Sequence, residues 1–155
     1  MNHPTADLVQ AFSETHYTVH REPPFTLRIG QPCTELMPLM AQHGSACAAF
    51  ITAWNPWSQT LSAAENQARQ HTLKTQLRQR GLPFVYGLGQ HPSNGWPGEA
   101  SVLVLGLDRQ AAMALAKAHE QHAFVWAGGD GVAELVWPEW AKLLRPDGGR
   151  FVRQF

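Results

Sequence analysis

The feature that most restricts the fold is an apolar run coupled to the helix that follows it. Ala46 to Trp54, ACAAFITAW, carries no charge and reads as a central strand covered on both faces. After the polar turn Asn55-Pro-Trp-Ser58, a helical stretch continues to Arg80, where Gly81 stops it and Pro83 follows. Ser62-Ala-Ala-Glu65 fits a capping box, in which hydroxyl and carboxylate satisfy free amides of the first turn. A cap at Thr60 or Ser58 would shift the start by a turn. Because a helix advances about 100° per residue, the stripe through Leu73 and Leu77 also passes through Ser62, Asn66 and Arg69. Half of that stripe is ordinary core; the other half places an amide and a guanidinium where the sheet covers them. An unpaired buried polar group costs roughly 1–3 kcal/mol, and more when charged, so these side chains need partners. The candidates are the preceding turn, another loop, or a ligand drawn to the helix N-terminus beside Asn55 and Ser58.

The rest of the chain supplies an α+β domain around this unit. Residues 5–14 read as a short helix capped by Thr5, with Leu8, Ala11 and Phe12 on one face. Tyr17 and Val19 are extended, residues 25–29 alternate as a half-buried strand, and a short helix over 35–42 starts at Thr34 and ends at Gly44. Beyond the long helix come strands at 84–88 and 102–107, a helix capped by Asp108, and a hairpin of 123–127 with 132–136. Trp137, Trp140 and Leu144 line a last helical turn or two, and 146–155 is a flexible or loosely packed tail. From about 46 to 127 the order is strand, helix, strand, strand, helix, strand, the split βαββαβ pattern of ferredoxin-like domains. Extra edge strands and the short N-terminal helices are added to that core. One domain over 1–155 is expected, with its core at about 17–136.

Composition narrows the partners. The 155 residues carry 12 basic and 12 acidic side chains with no charge block, which argues against nucleic acid and anionic membrane surfaces. Two cysteines, Cys33 and Cys47, without metal-site spacing suit a reducing cytoplasm. No signal-peptide core or membrane-length apolar run is present. Eight histidines invite a metal reading. His16 with His20 and His119 with His122 have helical ligand spacing, but no carboxylate or cysteine motif accompanies them, so no metal and no cofactor is expected.

The split topology brings the 54–60 turn, the 90–100 loop and the end of the second long helix to one end of the sheet. Asn55, Ser58, Glu65, Asn66, Arg69, His91, Asn94, Trp96 and Glu99 then face one concavity, the default place for a ligand. Arg69 there would favour a carboxylate or phosphate. The competing reading is a structural network, with Glu99 or Glu65 pairing Arg69 and Asn66 tying down the Asn55-Pro56 turn.

Several runs are distinctive: Phe-x-Leu-Arg-Ile-Gly at 25–30, Phe-Ile-Thr-Ala-Trp-Asn-Pro-x-Ser at 50–58, Glu-Asn-x-x-Arg at 65–69, Gly-x-Gly at 87–89, and Trp-Pro-Gly-Glu-Ala-Ser at 96–101. With the Leu-Gly pair at 105–106, they resemble the bacterial domain-of-unknown-function family DUF3293 over most of residues 17–135. The resemblance implies a small stand-alone bacterial protein and no assigned activity. It also implies a second acidic residue after the Trp96 turn, where this chain has Ala100, which argues against a carboxylate pair.

The expectation is therefore a ligand-binding protein. A small polar or anionic ligand sits between the 54–60 turn, the first long helix and the 90–100 loop. Arg69 pairs the anion, Asn55 and Asn66 supply amide hydrogen bonds, Glu99 orients Arg69 or a ligand hydroxyl, and Ser58 and Trp96 complete the wall. Two alternatives stand beside it. One is a protein-interaction module, homo-oligomer included, using the Trp57 and Trp96 loops. The other is a hydrolase-type enzyme with Ser58 as nucleophile, His91 as base and Glu99 orienting it, although no Gly-x-Ser-x-Gly elbow surrounds Ser58. The Gly87-Leu-Gly89 and Gly128-Gly-Asp-Gly131 runs lack phosphate-loop spacing and read as turns.

Overall fold

Side-chain oxygens set where three of the helices begin. In the computed structural model, which describes residues 4–140, Thr5 accepts from the Leu8 amide and opens α1 (Ala6–Glu14). Ser62 and Glu65 form the expected capping box at the head of α3 (Ala63–Gln79), and Asp108 accepts from the Ala111 amide to start α4 (Arg109–Ala118). The short α2 (Leu36–Gln42) has no side-chain cap; Glu35, rather than Thr34, occupies the cap position. Pro38 falls in its first turn, where a missing N–H breaks no helical bond.

The architecture is mixed α+β: four helices and one curled, seven-stranded sheet among the described residues. The strands are β1 (His16–Val19), β2 (Phe25–Leu27), β3 (Ala48–Ile51), β4 (Phe84–Gln90), β5 (Glu99–Leu105), β6 (Phe124–Ala127) and β7 (Ala133–Val136), in the order β2-β1-β4-β5-β3-β6-β7. Every neighbouring pair is antiparallel. The segment after β2 then reaches across to β7. Gly30 donates to the Ala133 carbonyl at 2.8 Å, Cys33 donates to that of Gly131 at 3.1 Å, and Pro32 bridges Val132. Those contacts draw the two edges of the sheet toward each other.

Curling gives the sheet an inside and an outside, and each has its own core. Inside lie Tyr17, Val19, Phe50, Leu103 and Leu105, with Leu36, Leu39 and Met40 of α2. Outside, Leu73 and Leu77 of α3 and Ala112, Leu115 and Ala116 of α4 cover Ala49, Ile51, Val102 and Val104. β3 feeds both cores, with all four of its residues buried, which is why its sequence lacks the polar alternation of a half-exposed strand.

Two strands differ most from their sequence-based bounds, while β2 ends two residues early and β4 runs two residues longer. β3 ends at Ile51 instead of Trp54 because the next backbone amides bond to side chains of α3 rather than to a neighbouring strand. β5 starts at Glu99, three residues before the apolar signal, since Glu99, Ala100 and Ser101 lie opposite Gly89, Leu88 and Gly87. After β7 the chain makes a short 3-10 turn, Pro138–Trp140, and the buried Trp137 packs edge-on against Phe12 of α1 at 5.2 Å between ring centroids. Leu144 and the expected tail at 146–155 lie outside the described residues.

One close approach sets the curl. The inner face of β4 opposite Phe50 is glycine: a Cβ on Gly87 would meet the Thr18 carbonyl oxygen at 2.6 Å and the Phe50 ring at 2.7 Å. Phe50 lies where that side chain would be, and it also contacts Tyr17 edge-on at 5.4 Å. Overpacking at such a site costs typically 1–3 kcal/mol. Gly87→Ala is therefore expected to lower the unfolding free energy by about 2 kcal/mol in a urea titration, and Phe50→Leu in the same chain to recover part of the loss. An unchanged midpoint for Gly87→Ala would show that the inner wall is loosely packed there.

Candidate functional site

The end of the sheet where β3 runs out is held by polar side chains bonded to backbone. Asn55 and Asn66 form a reciprocal pair: the Asn55 amide N–H donates to Asn66 Oδ1, and Asn66 Nδ2 donates to Asn55 Oδ1, both at 2.8 Å. Asn55 Oδ1 also accepts from the Leu61 amide at 3.1 Å, and its Nδ2 donates to Glu99 Oε2 at 3.0 Å. One helical turn on, Gln70 Oε1 accepts from the Ala53 amide at 2.9 Å. Thr52 donates its hydroxyl to the Ala100 carbonyl at 2.6 Å and accepts from the Trp54 amide at 3.0 Å. The buried residues of α3 are accordingly Asn66, Gln70, Leu73 and Leu77.

Arg69 stands beside this network with its side chain about a third exposed. Its Nε donates to the Ala53 carbonyl at 3.3 Å, and one Nη donates to the His119 carbonyl and to Glu120, each at 3.2 Å. Its partner is thus Glu120, not Glu99 or Glu65; Glu65 serves the cap of α3. Glu120 in turn accepts from the Trp57 indole at 3.0 Å through its carboxylate and from the Trp57 amide at 2.7 Å through its carbonyl. Asn55, Trp57, Ser58 and Glu120 all adopt positive φ, between 48° and 59°. Such backbone costs of order 1–3 kcal/mol per residue and persists only where surrounding bonds impose it. The hydrogen bonds from Asn66 and between Trp57 and Glu120 are those bonds.

Beside the network lies a cavity of about 150 Å³ in the mouth of the curled sheet, roofed by α1. Its origin is legible in the strand register. Tyr17, Gly89 and Glu99 are direct neighbours across β1, β4 and β5, so they share one face, and the middle position has no side chain. A Cβ on Gly89 would lie 3.7 Å from the Tyr17 ring and 3.9 Å from the Thr15 methyl, in ordinary van der Waals contact, so a methyl fits there and a branched side chain would take up cavity space. The walls are mainly apolar, with Leu8 and Phe12 of α1, Phe50 of β3 and Trp96 at the rim. Trp96 is 48 % exposed. Tyr17 turns its hydroxyl away from the cavity centre to the Phe12 carbonyl.

Glu99 is the carboxylate of this cavity. Asn55 holds one of its oxygens, and among the described residues no donor reaches the other. Burial pushes its carboxyl above the usual range, and the Asn55 hydrogen bond opposes that shift. None of the described residues lining the cavity is a lysine or an arginine.

His91 and Ser58 also line the cavity, but His91 is committed elsewhere. Its Nδ1 accepts from the amides of Ser93 and Asn94 at 3.1 and 3.0 Å, so Nε2 carries the proton and faces Glu14 of α1 at 3.0 Å. A Ser58–His91–Glu99 relay is not assembled, because both imidazole nitrogens and one Glu99 oxygen are bonded to other groups. The His91 hydrogen bond holds the Glu14 carboxyl below the usual range. Among the sequence-derived residues, Ser58, His91, Asn94, Trp96 and Glu99 line the cavity, while Glu65, Asn66 and Arg69 stand outside its walls and Asn55 reaches it only through Glu99.

Sequence reasoning passed over Gln70, Glu120, Gln121 and Glu14. Gln70 sits one position past Arg69 on the buried side of α3, where only a shift of the stripe would have found it. Gln121 donates to the carbonyls of Trp54 at 3.1 Å and His119 at 3.2 Å and also lines the cavity. Neither histidine pair forms a ligand set: His16 lies on a strand, His119 bonds Gln76 at 2.6 Å, and no group of three metal-ligating side chains occurs among the described residues.

Two predictions follow from the network itself. Asn66→Ala leaves the buried Asn55 amide without its acceptor and should cost about 2–3 kcal/mol in chemical denaturation. Arg69→Ala strips two backbone carbonyls of a donor and should cost about 2 kcal/mol; an unshifted midpoint would show that the guanidinium is dispensable to the fold and free for a ligand. Burial, and then the charges of Arg69 and Arg80, hold His119 below its usual range. The unfolded chain therefore takes up a proton on this residue before the folded one does, and stability falls as pH drops below about 6.5. Denaturation midpoints between pH 5 and 8 should show that slope in the parent chain and lose part of it in His119→Gln.

No curated protein and no solved structure matches the chain. Residues 51–124, from the last residue of β3 to the first of β6 and so including the network, match the model of the family described as Protein of unknown function (DUF3293), and over that stretch the chain is shown to resemble that family.

Proposed function

We propose that the protein binds a small organic ligand in the cavity under α1, with an apolar body of about one ring seated among the aromatic walls and a hydrogen-bonding head on Glu99. The observation that carries this reading is the free Glu99 oxygen opening on an apolar cavity of about 150 Å³. A cavity of that size accommodates a benzene-sized group, and a concave apolar space with few convergent polar groups is the usual form of a ligand site. The anion expected from Arg69 has less support than a ligand placed on Glu99, since the guanidinium is already bonded to three protein acceptors. The exposed Trp96 at the rim favours, as a second reading, contact with a protein partner.

We also infer a ferredoxin-like unit within the sheet, supported by the order β4-β5-β3-β6 with antiparallel neighbours and α3 and α4 on one face. The free thiols Cys33 and Cys47 support a reducing cytoplasm as its setting, and no described helix is long and apolar enough to cross a membrane.

A thermal-shift screen of single-ring fragments tests the ligand reading. Saturation at about 100 times Kd stabilises by roughly 2.7 kcal/mol, a shift of several degrees for a chain of this size. Gly89→Val projects a side chain between Tyr17 and Glu99 and should abolish the shift while leaving the fold intact. Shifts retained in Gly89→Val would place binding elsewhere, and silence of the parent across the panel would favour the protein-partner reading.

A further inference from the structure

We infer that the ligand class of this cavity is an organic ammonium: a primary or substituted amine carried on a ring-sized apolar group. The inference rests on the cavity reading above and adds the charge of the ligand. Three observations converge on it.

The first is the mismatch between the carboxylate and its surroundings. Glu99 has one neutral amide donor, from Asn55, and no cation among the described residues lining the cavity. Arg69, the nearest cation in the network, is turned to Glu120, and His91 presents its proton to Glu14. A carboxylate in such a setting is underserved, and burial raises its carboxyl accordingly. A ligand cation would supply the missing charge, since charge-assisted hydrogen bonds are roughly twice as strong as neutral ones.

The second is the chemistry of the walls. Phe12, Tyr17, Phe50 and Trp96 line the cavity together with Glu99. Aromatic faces attract cations by about 0.5–2 kcal/mol each, the stronger values belonging to desolvated sites, and a set of rings with one carboxylate is the recurring arrangement for alkylammonium groups. An anion would meet these rings and a carboxylate, with no lysine or arginine among the described lining residues to offset them.

The third is space. Gly89 is the direct neighbour of Glu99 in the strand register and places no side chain beside it, so the approach to Glu99 from β4 is blocked by no group of that residue. Asn55 is clamped by Asn66 and Leu61, which fixes the Glu99 oxygen it holds, and the other oxygen has no donor among the described residues.

The test compares three probes of nearly equal shape and different charge, namely benzylamine, benzyl alcohol and benzoate, by amide chemical-shift titration of the full chain. Benzylamine should bind most tightly and benzoate not at all. Glu99→Gln, whose side-chain oxygen can still accept from Asn55, should weaken benzylamine by about tenfold or more and leave benzyl alcohol unchanged. Should Glu99→Gln fail to fold, the ranking of the three probes on the parent chain and the loss of all of them in Gly89→Val carry the same information. Equal binding of amine and alcohol would overturn the ammonium inference and leave the cavity reading standing. Tighter binding of benzoate would overturn it as well. Failure of all three probes to shift cavity amides would overturn both readings.

Discussion

The mouth of the sheet depends on the reciprocal amide pair between Asn55 and Asn66. A strand that stops in the interior leaves backbone amides without a ladder, and each buried orphan costs a large fraction of a hydrogen bond's gross strength. Here α3 answers them: Asn66 takes the Asn55 amide and Gln70 takes the Ala53 amide, spaced so that one helix face meets alternate residues of the departing strand. The same Asn55 then reaches Glu99 with its remaining donor. A structural requirement, the termination of β3, thus determines which oxygen of the cavity carboxylate is occupied and which is open.

The cavity has a separate cause on the other side of the curl. β4 carries glycine at two inward positions, and the two are used differently. At Gly87 the Phe50 ring and the Thr18 carbonyl occupy the place of a side chain; at Gly89 the Tyr17 ring lies at ordinary contact distance, with its hydroxyl bonded to α1, and the space beyond belongs to the cavity. α1 closes the top through that hydrogen bond, through the Glu14–His91 pair and through the Phe12–Trp137 contact. None of its residues is fully buried, so α1 covers the cavity through partly exposed side chains.

Much of this could be read in the sequence, and the limits have physical reasons. The capping box at Ser62, the cap at Asp108 and the covered strand at β3 are local signals, and local signals were enough to fix the helices and the alternation of strand and helix. The polar stripe of α3 was legible as a demand for partners, but periodicity does not name them. Glu120 and Gln121 satisfy that demand from beyond the end of α4, at positions where no apolar period runs. The curl was not legible at all. It arises from the 30–33 segment meeting β7 and from two glycines whose meaning depends on what faces them across the sheet. The cavity carboxylate was identified, and its partner was not, because Glu99 and Asn55 are brought together only by the meeting of β5 with the turn after β3.

The strained turn joins these two halves of the molecule. Trp57 and Glu120 both hold positive φ, and each is bonded to the other through backbone and side chain, so neither conformation is stable without its partner. Glu120 is adjacent to Gln121, which lines the cavity and bonds the Trp54 carbonyl; Ser58, also at positive φ, lines it from the opposite strand of the turn. A group seated in the cavity would therefore press on residues whose backbone is held away from its relaxed basins by a small number of hydrogen bonds. Asn55, which holds Glu99, belongs to the same turn. The strain need not be catalytic to matter: Trp57 and Glu120 hold each other through two hydrogen bonds and the Ser58 amide bonds the Asn55 carbonyl, so the four positive-φ residues form two bonded pairs that set the shape of the mouth.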